Sequence, residues 1–147
     1  MGKCAASILL VVLGLFPVLP AASFDLTGHW TSGSGTIYQF AHKDRNVIAT
    51  YATPNPSQVA TGIKPGDIAF VGDVAGQVVS GVFHLRMPQQ DRDRCPATRY
   101  VTTNLTLVVN DDASVMEGPA VLVHQNEQCQ IDDRAIRVLN LKRSAKP

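Results

Sequence analysis

Four histidines, three cysteines, a run of arginines and two pairs of aspartates are the residues of this 147-residue chain with chemistry to offer. The histidines are His29, His42, His84 and His124, and no two stand two or four apart. Those are the spacings at which a strand or a helix turns two imidazoles toward one metal ion. Cys95 and Cys129 belong to no Cys-x-x-Cys, and no histidine sits at ligand spacing from either, so no metal site is expected. Asp111-Asp112 and Asp132-Asp133 lack the alternating oxygens and distal glutamate of a calcium loop, and read as turn residues. Gly33-Ser34-Gly35 lacks the spacers of a nucleophile elbow. No glycine-rich loop leads into a helix, which leaves phosphate cradling unsupported. No catalytic residue and no cofactor are expected.

The densest charge lies between Arg86 and Arg99, RMPQQDRDRCPATR, where Arg86, Arg92, Arg94 and Arg99 face Asp91 and Asp93. Arginine forks suit a carboxylate or phosphate bidentately, and Arg92 and Arg94 are candidate binding residues. The same forks can pair with the neighbouring aspartates. Asn104-Leu105-Thr106 is a glycosylation sequon, relevant only in a eukaryotic source.

These groups are set in a chain of 45% hydrophobic and 17% charged residues, neither charge-rich disorder nor a swollen tail. Its 13 basic and 12 acidic side chains exclude a strongly basic nucleic-acid binder. Residues 1–23, MGKCAASILLVVLGLFPVLPAAS, follow the grammar of a secretory signal. Lys3 leads an apolar run from Ile8 to Leu19, followed by Pro17, Pro20 and small residues at Ala21, Ala22 and Ser23. The run is shorter than the roughly 20 residues that a bilayer span requires. Cleavage is expected before Phe24, giving an exported protein, secreted or periplasmic, with no membrane span. Losing Lys3 then leaves the basic side chains equal in number to the 12 acidic ones. Cys4 departs with the leader. Cys95 and Cys129 remain as an even pair that an oxidising compartment would join, closing a loop of about 34 residues worth about 3 to 4 kcal/mol.

From Phe24 onward the dominant period is two. Val101, Thr103, Leu105, Leu107 and Val109 share one face, against Thr102, Asn104, Thr106 and Val108 on the other. Val79, Gly81, Phe83 and Leu85 share a face in the same way, with His84 on the polar side. The pattern predicts eight strands: Leu26–Thr31, Thr36–Ala41, Val47–Tyr51, Asp67–Asp73, Val78–Leu85, Tyr100–Val109, Val115–Val123 and Ala135–Lys142. Turn residues such as Ser32-Gly33-Ser34-Gly35 and Lys43-Asp44-Arg45-Asn46 part them. No segment reads as a capped amphipathic helix. Thr53 to Gly66, with three prolines, is expected to be irregular. An even number of short strands in hairpin order predicts an all-β fold, a closed antiparallel up-and-down barrel in one domain over residues 24–147. A β-sandwich is the alternative.

Asp25-Leu26-Thr27-Gly28-His29-Trp30, Gly35-Thr36-Ile37 and Ala49-Thr50-Tyr51 resemble the first strands of avidin-type barrels, and the Gly-x-Trp start is shared with lipocalins. The resemblance implies a calycin-like barrel whose closed end is packed by Trp30. Avidin-type biotin sites use several later tryptophans and this chain has only Trp30, so biotin binding is not implied. Ser32-Gly33-Ser34-Gly35-Thr36-Ile37-Tyr38 is similar to the Ser-Gly-Ser-Gly-x-x-Tyr stretch of bacterial c-type lysozyme inhibitors, small exported barrels with a disulfide. That resemblance would give Ser32, Ser34 and Tyr38 the role of a loop entering the lysozyme cleft. The stretch stands first in this chain rather than in its middle, and the family's Lys-Gly-type motif is absent.

The function expected is therefore non-enzymatic binding by an exported barrel, of a small ligand in the barrel or a protein partner through its loops. Lysozyme inhibition and an enzyme at the barrel mouth are the alternatives. A ligand cavity would be lined by Phe83, Leu105, Leu107 and Trp30.

Overall fold

A computed structural model describes residues 24–98 and 100–144, with the side chains of residues 132 and 133 left aside. The expected leader, residues 1–23, and Arg99 lie outside the described residues. Eight strands follow one another: β1 (Gly28–Ser32), β2 (Ile37–Lys43), β3 (Asn46–Thr53), β4 (Ile68–Ala75), β5 (Val78–Arg86), β6 (Tyr100–Val109), β7 (Val115–Gln125) and β8 (Ile131–Ser144). Each pairs antiparallel with the next, and β8 returns to β1 to close the barrel. Closure removes the edges that a sandwich would leave exposed.

The alternation read from the sequence holds. Leu105, Leu107 and Val109 are buried and the residues between them are exposed. Two departures concern the long loops. The segment expected to be irregular contains a short helix, α1 (Pro56–Ala60). Its cause is local: Asn55 caps the Gln58 amide at 3.0 Å, the Gln58 side chain answers the Asn55 amide at 2.9 Å, and Pro56 occupies the first turn, where its missing N–H costs nothing. The arginine-rich loop likewise winds into α2 (Gln89–Arg94) and a 3-10 turn over Pro96–Thr98.

The two ends of the barrel differ. At one end the turns are tight and the interior is full. Trp30 is completely buried, its indole donates to the Leu26 carbonyl at 2.9 Å, and its ring meets Phe40 at 6.0 Å between centroids. Leu26, expected to open the first strand, instead plugs this end, with Leu107, Val109, Met116 and Leu141 around it. Arg143 lies 4.8 Å over the Trp30 ring and donates to the carbonyls of Asp25, Thr27 and Ala113, tying the segment before β1, the β6–β7 turn and β8 together. Midway along the barrel Gly72 and Gly81 stand opposite each other on β4 and β5. A Cβ at either would come within 2.6 or 2.9 Å of the Phe70 ring tip, so the absence of side chains there makes room for that ring inside the barrel.

At the other end the wall loosens. β6 bonds to β7 through Val108–Glu117 and Val109–Met116 alone, and β1 reaches β8 only between Ser32–Leu141 and His29–Ser144. Residues 118–140 therefore find their ladder partners only in one another, as a two-stranded ribbon, while Gly118 still lies against Thr106 and Leu107 of β6. Pro119 accounts for one seam: continuing the β6–β7 register would put it opposite Thr106, and it has no N–H for that ladder. The shortness of β1 accounts for the other.

Candidate functional site

Every residue singled out for binding lies at the loose end: Ser34, Arg92 and Arg94 between the strands, Ser32 and Tyr38 on β1 and β2 beside them. Among them lies a cavity of about 300 Å³. Its walls come from three sources. Tyr38, Tyr51, Phe83 and Leu85 project from β2, β3 and β5; Gln58, Thr61 and Ile63 come from α1 and the chain after it. Ala120, Leu122, Arg137 and Leu139 face it from the ribbon. Of the four residues expected to line a cavity, Phe83 does so. Leu105, Leu107 and Trp30 instead belong to the buried core, packed among other apolar side chains with no cavity beside them.

The glycine-serine turn exposes Gly33, Ser34 and Gly35 and is anchored by Ser32 and Thr36 on either side. Ser32 is buried, its hydroxyl accepts from the Thr36 amide at 3.2 Å and meets the Ser34 hydroxyl at 2.9 Å. Thr36 donates to Gln58 Oε1 at 2.8 Å, and the Asn55 side-chain amide donates to both Ser34 and Thr36. These bonds hold α1 against the first turn. Tyr38 lies below them, packed on Tyr51 at 5.3 Å and on Phe83 at 6.5 Å. Burial raises the pKa of both tyrosines, and for Tyr51 the neighbouring Tyr38 and Asp67 push in the same direction. Both are neutral phenols at physiological pH.

The two candidate arginines are engaged within the chain. Arg92 donates to the carbonyls of Thr61 and Met87 and to Gln89, joining α2 to the end of α1. Arg94 pairs with Asp91 at 2.8 Å and donates to the Gln125 carbonyl at 3.2 Å. Two arginines not chosen from the sequence lie on the cavity instead. Arg86, at the end of β5, donates to the Gly62 carbonyl and stacks 5.6 Å from the Tyr100 ring centre, while its Nε is buried without an acceptor. Arg137, on β8, lines the cavity with no hydrogen-bond or ion-pair partner among the described residues. Its signal was available: Arg137 falls in phase with Ala135, Leu139 and Leu141, a cation between apolar residues of the inward register.

Cys95 and Cys129 are bonded, with Cα atoms 5.6 Å apart. The bridge ties α2 to the tip of the ribbon. Buried Gln125 reinforces it by donating to Thr98 at 2.5 Å and to the Cys129 carbonyl at 2.9 Å. The mouth thus has a covalent strap on one side and the α1 cover on the other.

The histidines are dispersed. His42 belongs to the closed end, where its Nδ1 accepts from the Leu26 amide at 3.3 Å. Half-buried His84 borders a second depression with Asp67, Arg86 and Tyr100. Among the described residues no group of three His, Cys, Asp or Glu could hold a metal ion, and no helix is long and apolar enough to cross a membrane. No protein-family model and no curated protein matches this sequence.

Proposed function

We propose that the protein is an exported, non-enzymatic barrel of calycin-like type that binds a small, mainly apolar ligand at its loose end. The observation that carries this reading is the cavity of about 300 Å³ between the barrel wall and the ribbon. It is at the small end of the range for ligand sites, and its apolar walls carry few polar groups, the usual balance of a binding pocket. The disulfide fits an oxidising compartment, in keeping with the signal-like leader. Of the three residues that a lysozyme-directed loop would use, Ser32 and Tyr38 are buried and only Ser34 is exposed, which favours this reading over presentation of that turn to lysozyme.

The test uses N-phenyl-1-naphthylamine, a neutral dye that fluoresces in apolar surroundings. The processed protein is expected to enhance its emission with one-to-one saturation. Ala120→Trp, which fills the cavity, should abolish the enhancement, and Ile48→Ser or Val71→Ser on the outer wall should not. Enhancement that survives Ala120→Trp and disappears with the outer substitutions would overturn the proposal. Circular dichroism of each variant verifies that the barrel is retained.

A further inference from the structure

We propose that the ligand is an apolar monocarboxylate, its hydrocarbon body in the cavity and its carboxylate held by Arg137, with Arg86 as a second donor. This rests on the cavity being a ligand site, and adds the chemical class of what it takes. The cavity lining contains two arginines and, among the described residues, no aspartate or glutamate. Arg137 stands opposite Ala120 in the ribbon ladder, so a small neighbour leaves space in front of a guanidinium that nothing in the described chain neutralises. Arg137 is itself exposed, so its guanidinium stands at the open rim of the cavity, where the carboxylate of a ligand seated against the apolar wall can meet it.

Arg86 supplies an independent observation. Its Nη1 is satisfied by Gly62, but its Nε is buried with no acceptor, and Asp67 in the adjoining depression receives the Lys64 amide instead. A cation in the cavity would meet two like charges. A carboxylate brings two acceptor oxygens and one negative charge, the geometry that guanidinium groups recognise. The phenols of Tyr38 and Tyr51, kept neutral by burial, bring no competing charge.

The experiment is competition against N-phenyl-1-naphthylamine on the full processed protein at pH 7.5. Decanoate is compared with 1-decanol, and 2-naphthoate with 2-naphthol. Each acid should displace the dye at about one tenth of the concentration its neutral partner needs, the lower range for a charge-assisted bond. Arg137→Gln should bring the acids level with the alcohols, and Arg137→Lys should restore part of the preference. Arg45→Gln at the closed end should change none of the four. Equal displacement by acids and alcohols in the unmodified protein, or a preference intact in Arg137→Gln, would overturn the inference while leaving the cavity as a ligand site. Absence of any dye signal sensitive to Ala120→Trp would remove both.

Discussion

The two ends of this barrel are built from the same strands and differ in what holds them. At the closed end, side chains do the work: Trp30, Leu26 and Leu107 fill the interior, and Arg143 spans three backbone segments. At the mouth the β6–β7 and β8–β1 ladders stop, and the ribbon is kept in place by the disulfide, by Gln125 on Thr98 and by Arg94 on the Gln125 carbonyl. Packing of that first kind leaves no room for a ligand. Tethering of the second kind fixes the edges of a space without filling it. On the proposed function, the contrast would separate stability from binding along one axis of a small molecule, the usual division between scaffold and loops.

The largest blow to the contrast would come from Trp30→Ala. Loss of a fully buried indole should cost about 3 to 5 kcal/mol of unfolding free energy in urea titration. Leu139→Ala, half-buried at the mouth, should cost clearly less, and equal costs would mean that the closed end is not the anchor. Next is Cys95→Ser with Cys129→Ser, expected to remove about 3 to 4 kcal/mol by releasing a closed loop. Trp30 is the only tryptophan, so its emission isolates the closed end; that emission should stay native while dye binding at the mouth weakens.

Gly81→Ala sharpens the boundary between the halves. Its new methyl group would press on the Phe70 ring and on β4, an overpacking that costs about 1 to 3 kcal/mol. The smallest effect should appear on raising pH. The folded-state pKa values of Tyr38 and Tyr51 lie above those of the unfolded chain, so their contribution is complete below about pH 10, the ordinary phenol value, and declines as pH climbs past it. The melting temperature should therefore fall between pH 9 and pH 11, and a Tyr38→Phe, Tyr51→Phe double variant should fall less.

Much of the barrel was legible because strand alternation is a local property. The faces of β5 and β6 could be read from Val79 to Leu85 and from Val101 to Val109 without knowing their neighbours. The Asn55-Pro56-Ser57-Gln58 capping box was equally local, and was obscured by the prolines around it. The cavity was not legible in the same way. Its position depends on where β7 parts from β6 and β8 from β1, which are facts of pairing between distant segments. Pro119 was the one residue that marked a seam in advance. The arginine cluster drew attention by density, yet Arg92 and Arg94 have their partners within the loops, and Arg137, isolated in sequence, is the one that faces the cavity.

The central claim, that one end binds and the other only holds, is tested most directly by methyl NMR of the processed protein titrated with N-phenyl-1-naphthylamine. The account predicts saturable shifts at Ile63, Leu85, Leu122 and Leu139, with Leu105, Leu107, Val109 and Leu141 unmoved. Shifts centred on the latter group, or on Ile48 and Val71 of the outer wall, would contradict it.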